Sequence, residues 1–285
     1  MPSLLDIRRR IRSVKNTQQL TKAMKTVAAA RLRRAQERVF SARPYAEQLR
    51  RVLANLTSHV EEDISHPLLE IRPEQRILFV IVTADRGLCG AFNSNIIRTA
   101  QGFIRDHRGQ TLNLALVGRK GRDFFRRRMG TAYAEFVNIF SRLDYGHAKD
   151  ISETVIKAYA EKEVDAVYII YNEFKSVIQQ RVVVEKLLPL TRPEVDRTQP
   201  GPDYIFEQPP QEIFNRMLPR YVEVQIYRAL LESAASEHGA RMAAMDTASR
   251  NAGDMIDSLT LNMNRIRQAA ITREIIEVVS GAGAL

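Results

Sequence analysis

The 285-residue chain is poor in the features that mark most enzymes. Cys89 is its only cysteine, which excludes an internal disulfide and any multi-cysteine zinc site and fits a reducing compartment. Cys89 also has no histidine near it in sequence to activate a thiolate. No run approaches the roughly 18 uncharged apolar residues of a membrane span. The first residues, MPSLLDIRRR, lack the apolar core and cleavage site of a secretory signal. Neither GxGxxG nor GxxxxGK[ST] occurs, so no phosphate-cradling loop is marked, and HExxH is missing too. No Ser/His/Asp set is announced by a nucleophile elbow. These absences leave no recognisable active site.

What is present is charge and periodicity. The formal net charge is +10, and residues 1–59 hold fourteen Lys/Arg against three Asp/Glu. A helix so basic points to an acidic partner surface, a nucleic acid or anionic lipid, with a solvated face as the bland alternative. Nucleic acid is the less natural choice, because the segment carries almost no aromatic residues beyond Phe40 and Tyr45.

Two helical signals, 3–59 and 211–282, are far longer than the three or four turns of a globular helix. About 55 residues at about 1.5 Å each span roughly 80 Å, so such a helix must pair with another or enter a partner. In the first, Ser3 is placed to cap and Asp6 follows three residues later. Apolar residues then recur in steps of three and four from Leu4 through Ile7, Ile11 and Val14, and again from Met24 to Leu56. That mean step of 3.5 is the period of a left-handed coiled coil. Gln18 and Thr21 interrupt the seam, which sets register or marks a change of partner. Pro44 predicts a kink, since the seam keeps its phase beyond it. The last helix carries a clearer seam from Phe214 to Ala270, rich in Ala and Met, which suits close or changing contacts as well as an ordinary coiled-coil core. His238 in that seam reads as a packed residue, without a second ligand at metal spacing. The two helices are expected to pair antiparallel, the second projecting by about four turns at 1.5 Å per residue.

Between them the pattern changes. An apolar run at 77–83 predicts a buried strand, followed by a glycine-containing turn and a helix to about 107. Further strands are predicted at 112–117, 133–139 and 166–171, helices at 118–129 and 148–163, and an antiparallel edge strand at 179–186. The fold class is therefore α/β: a long antiparallel coiled coil of the terminal helices with an inserted open, mostly parallel α/β domain. The division is 1–60 for the first helix, 75–190 for the α/β domain, 191–210 for a Pro/Gly-rich loop and 211–285 for the last helix and its tip.

Four collinear motifs carry a resemblance along essentially the whole chain: IRSVKNTQQLTKAMK at 11–25 with VAAA at 27–30, TADRGLCG at 83–90, SEHGARMAAM at 236–245 and ITREIIEVVSGA at 271–282. With this architecture the chain resembles the gamma-subunit family of the F-type ATP synthases, the central rotor shafts. The resemblance implies one copy per complex, standing inside a ring of three alpha and three beta subunits. It also implies contact with the epsilon subunit and the membrane ring of c subunits. The shaft would couple proton-driven rotation of that ring to sequential change at the beta sites, with no catalytic site, cofactor or metal of its own.

The family's contact positions map onto particular residues. Lys22, Met24 and Lys25 would face an acidic beta-subunit loop, with Arg241 pairing with this region from the other helix. Arg267, Gln268, Thr272 and Glu274 would make polar catch contacts near an apolar bearing. Tyr204 and Glu207 would meet the c ring, with Phe206 standing where a hydroxyl role would be in question. The lone Cys89 implies no thiol switch of the chloroplast type. The implied location is the cytoplasmic side of a cell inner membrane, peripheral, with a bacterial source favoured by the lack of a presequence.

Overall fold

The computed structural model describes residues 4–59, 66–176, 179–190 and 209–282. The expected Ser3 cap and the whole 191–208 loop, with Tyr204 and Glu207, lie outside the described residues. Helix α1 runs Leu4–His59 and α5 runs Pro210–Ala282, both close to their predicted limits. Pro44 and Pro219 stand inside these helices without ending either. Between them lie β1 (Arg76–Val82), α2 (Phe92–Asp106), β2 (Thr111–Val117), α3 (Arg119–Met129) and β3 (Ala134–Phe136), then α4 (Tyr145–Ala160), β4 (Ala166–Phe174) and β5 (Gln180–Leu188).

Two compact units divide the chain. One comprises residues 30–240, the other residues 1–29 with 241–285. The larger unit holds a five-stranded sheet of order β3-β2-β1-β4-β5. β1 pairs parallel with both β2 and β4, β2 pairs parallel with β3, and β5 is the antiparallel edge. Every residue of β1 after Arg76 is buried, because a central strand covered on both faces needs an unbroken apolar run rather than an alternating one. α2 and α3 cover the face bearing Ile77, Phe79 and Ile81, through Phe92, Ile96, Ala100 and Phe125. At the start of β1 Arg76 clamps Asp165: its backbone N–H and Nε donate to Oδ2 (2.9 and 3.2 Å) and Nη2 to Oδ1 (2.7 Å). The Arg76 hydrogen bonds hold the Asp165 carboxyl below the usual range.

Predicted boundaries move in four elements, for local reasons. α4 begins at Tyr145 rather than 148, because Asp144 and His147 close a capping box that satisfies its first amides. β3 shortens to three residues: Asn138 takes a left-handed conformation (φ 64°) and turns the chain into a 3-10 turn at Ile139–Ser141. β4 and β5 each extend past their predicted ends, sustained by their mutual pairing from Val167 to Phe174.

In this unit α5 is no ordinary amphipathic helix. From Val222 to Ala240 buried residues face all sides, including Glu232, Ser233, Ser236 and Glu237. Ala46 and Leu49 of α1 pack with Val224, Met217 and Tyr221 of α5, and Arg43 approaches Glu232 at 4.0 Å, so the helices run antiparallel here. The smaller unit is antiparallel too, with Gln18 reaching Ser249 and Lys25 reaching Asp246.

Candidate functional site

The motif at 83–90 builds the joint after β1. Thr83 donates its hydroxyl to the Val117 carbonyl (3.0 Å), and the same oxygen accepts from the Gly121 amide (2.8 Å) at the start of α3. Gly118, at φ 90°, passes so close that a Cβ there would stand 2.1 Å from the Thr83 carbonyl oxygen. Asp85 gathers three backbone N–H groups: Arg119 (3.0 Å) and Asn138 (2.8 Å) on Oδ1, Phe140 (3.2 Å) on Oδ2. A helix N-terminus in this position is an anion site in nucleotide-binding sheets. Here the chain's own carboxylate occupies it. Asn93 finishes the joint, its Oδ1 accepting from the Ala84 amide and its Nδ2 donating to the buried Cys89 Sγ (3.2 Å). Cys89 thus sits in a structural hydrogen-bond set.

A second position is filled in the same way. In an open parallel sheet, ligands enter beyond the carboxyl ends of the strands where the strand order reverses. That reversal lies between β1 and β4. α5 crosses it: Ser236 Oγ donates to the Asn172 carbonyl near the end of β4 (3.3 Å), and Ala240 joins the core cluster that holds Ala84 and Cys89 just past β1. A helix of the same chain takes the space a nucleotide would use.

Before that crossing, α5 carries a polar network. Arg228 Nη2 donates to both oxygens of Glu185 (3.1 and 2.9 Å), and the Tyr171 hydroxyl donates to Glu185 Oε2 (3.1 Å). Glu232 is 5 % exposed, and its Oε2 meets no hydrogen-bond partner among the described residues. Burial raises its pKa, against the opposing pull of Arg228 and Arg43. No group of His, Cys, Asp and Glu among the described residues could hold a metal ion.

In the smaller unit the break in the α1 seam becomes a polar clasp. Gln18 Nε2 donates to the Ser249 carbonyl (3.3 Å), facing Gly253, where a Cβ would come within 3.2 Å of it. Thr21 is buried, its hydroxyl donating to the Gln18 carbonyl. Lys25 Nζ meets Asp246 Oδ1 at 2.6 Å, and Arg250 flanks the same carboxylate at 3.2 Å. Lys25 in particular holds the Asp246 pKa down. Ser249 fits the 3.5-residue seam of α5 between Met245 and Ala252, as Arg228 does between Val224 and Leu231. Apolar pattern alone passes over both positions.

The expected contact residues are distributed as follows. Lys22 and Lys25 are exposed, Met24 and Arg241 half-buried, and all four belong to the same unit. Lys25 is engaged within the chain by Asp246 rather than standing open. Arg267, Gln268, Thr272 and Glu274 are all exposed, and the Thr272 hydroxyl donates to the Gln268 carbonyl one turn back (3.0 Å). Along residues 271–280 every side chain is exposed, including Ile271, Ile275, Ile276, Val278 and Val279 at 47–71 %. No helix among the described residues is long and apolar enough to cross a membrane.

This combination is that of an α/β domain built to grip a long helix of its own chain where a nucleotide-binding sheet would keep an open crevice. Residues 3–285 match the family model described as ATP synthase. The ATP synthase gamma chain of Solibacter usitatus is 54% identical over 288 aligned positions, covering 100% of this chain and 99% of the relative. That of Pelotomaculum thermopropionicum is 50% identical over 285 positions and the full length of both. Among solved structures, a chain of the Tetrahymena thermophila mitochondrial ATP synthase central stalk and c-ring structure superposes with TM-score 0.62 at 27% identity, over 81% of this chain and 99% of the other. A Euglena gracilis mitochondrial ATP synthase chain shares the fold, with TM-score 0.70 at 18% identity over 99% and 94% of the two chains. The chain belongs to the ATP synthase gamma-chain family, the rotor subunit of the central stalk.

Proposed function

We propose that this subunit couples rotation of a membrane c ring to sequential opening and closing of three beta-subunit catalytic sites. It carries no catalytic centre of its own. Its partners would be three alpha and three beta subunits, an epsilon subunit and the c ring, with one copy per complex. It would sit peripherally on the cytoplasmic face of a cell inner membrane. One observation in particular supports this reading. The last turns of α5 expose a stripe of Ile and Val along one side, opposite Arg273, Glu277 and Ser280, which costs free energy in water and is relieved by an apolar bearing surface. Arg267, Gln268 and Glu274 just before and within that stretch are exposed and available as latches to a surrounding ring. Charge-assisted hydrogen bonds are roughly twice as strong as neutral ones, so Arg267 would be the strongest of these latches. Tyr204 and Glu207 would serve the c ring.

The test uses the assembled complex. Purification of the chain with large subunits that hydrolyse ATP is expected, and Arg267→Ala with Gln268→Leu should lower ATP synthesis more than ATP hydrolysis. Unchanged assembly and unchanged synthesis in that double variant would overturn the latch role.

A further inference from the structure

The outward side of the α2/α3 layer is strongly basic. Over those two helices stand eight Lys/Arg against two Asp/Glu, so 26 residues carry six of the chain's ten net positive charges. Only part of that charge is used internally. Arg122 pairs with Asp123 (2.8 Å), Arg119 donates to Asn138 (2.6 Å), and Arg128 lies 4.0 Å over the Phe124 ring. Arg98, Arg105, Lys120, Arg126 and Arg127 are exposed and make no hydrogen bond or ion pair among the described residues. Helix-end electrostatics explain the cations of the last turn of α3. They account for Arg105 in the last turn of α2 as well, but not for Arg98 in the middle of α2 or for Lys120, which stands in the first turn of α3 where positive charge is disfavoured.

We propose that this layer docks on anionic phospholipid headgroups. The charge is spread over two neighbouring helices and presented from their exposed outer sides, which suits a flat anionic surface better than a single acidic peptide. Met129 and Tyr133, 43 % and 40 % exposed, flank the arginines at the end of α3 and supply the apolar and aromatic groups favoured at a membrane interface. The proposal is independent of the coupling role, because it concerns binding by the chain alone.

Flotation of the full-length chain with phosphatidylcholine vesicles, with and without about 30% phosphatidylglycerol, tests it across low and high salt. Binding is expected only to the anionic vesicles and should fall steeply as salt rises. Each basic residue near such a surface contributes roughly a fivefold gain, so Arg126→Gln, Arg127→Gln and Arg128→Gln together should lower the partition coefficient about 100-fold. A control with Arg8→Gln, Arg9→Gln and Arg10→Gln on α1 should stay within about threefold of wild type on the same scale. Circular dichroism confirms that each variant is folded. Equal binding to neutral vesicles would overturn the proposal, and so would loss in the α1 control without loss in the α3 variant. Failure on vesicles combined with α3-dependent capture by poly-glutamate would overturn it in favour of an acidic protein surface.

Discussion

Asp85 offers the sharpest test of how the α/β domain is held together. Its two oxygens accept three backbone N–H groups from segments that are distant in sequence: the first residue of α3 and two amides of the turn after β3. Replacement by alanine removes all three acceptors. Hydrogen bonds to a charged group contribute about 1.5–3 kcal/mol each when buried. This site is only partly covered, so water can replace some of that interaction, and about 3–4 kcal/mol is expected for Asp85→Ala. Asp85→Asn separates geometry from charge. Its remaining carbonyl can stay in the Oδ1 position and keep Arg119 and Asn138, while its amide then faces the Phe140 N–H and loses that bond. The expected cost is about 1–2 kcal/mol.

Urea titration of the isolated chain, followed by circular dichroism, should show the midpoint falling in the order wild type, Asn, Ala, with an unchanged slope. In a domain of this size about 3 kcal/mol corresponds to a fall in melting temperature of roughly 6–12 °C. If the alanine variant were within about 0.5 kcal/mol of wild type, the usual range for surface substitutions, Asp85 would not be the anchor of the joint. Equal loss in the Asn and Ala variants would show that charge alone matters.

Three other perturbations have a definite sign. Gly118→Ala combines a φ of 90° with a Cβ 2.1 Å from a backbone oxygen, so a loss above about 3 kcal/mol is expected, read as poor soluble yield or a low urea midpoint. Burial raises the pKa of Glu232 above its ordinary 4.5, so the folded state binds the proton more tightly than the unfolded chain. Stability from this group is complete below about pH 4.5 and is lost as pH rises through the raised value. Glu232→Gln should therefore match or exceed wild type at pH 8 and flatten the decline above pH 4.5, whereas a pH-independent difference in melting temperature would refute this. Lys25→Ala or Asp246→Ala should each leave the melting temperature almost unchanged, because the pair is exposed, and the swap of the two residues should recover any small loss in thermal melts.

Sequence pattern located the five strands and five α-helices among the described residues, most of which bury a recurring apolar set. It missed the short 3-10 turns and failed where backbone hydrogen bonding decides. The start of α4 depends on the Asp144–His147 box, the end of β3 on the left-handed Asn138, and neither leaves a trace in hydrophobic periodicity. The glycines of the 83–90 motif were legible as turn residues, and Gly90 does take a positive φ of 55°. The carriers of that motif are nevertheless Thr83 and Asp85, whose partners lie up to 55 residues away and are visible only once the strands are in order. Likewise the seam of α5 was read as apolar, which hid Arg228 and Ser249, the two polar positions that keep its period.

The same helix therefore meets two different demands along its length. Between Val222 and Ala240 it is the core of an α/β domain, and a helix enclosed on all sides can keep no polar stripe, so its small and polar residues must find partners inside. Ser236 on Asn172 and Arg228 on Glu185 do so, whereas Ser233 Oγ and Glu232 Oε2 are buried with no hydrogen-bond partner among the described residues. Beyond Gly253 exposed residues predominate, and from 271 no described side chain is buried. A sheet with its ligand crevice open could bind a nucleotide, but it would hold α5 by fewer contacts. With the crevice closed by α5, rotating the domain about that helix means breaking β4 and β1 contacts rather than sliding an exposed face. On the rotor reading, the loss of a ligand site and the rigid grip on the shaft are one structural choice. That choice explains why a chain with the sheet order of a nucleotide-binding fold has no phosphate loop.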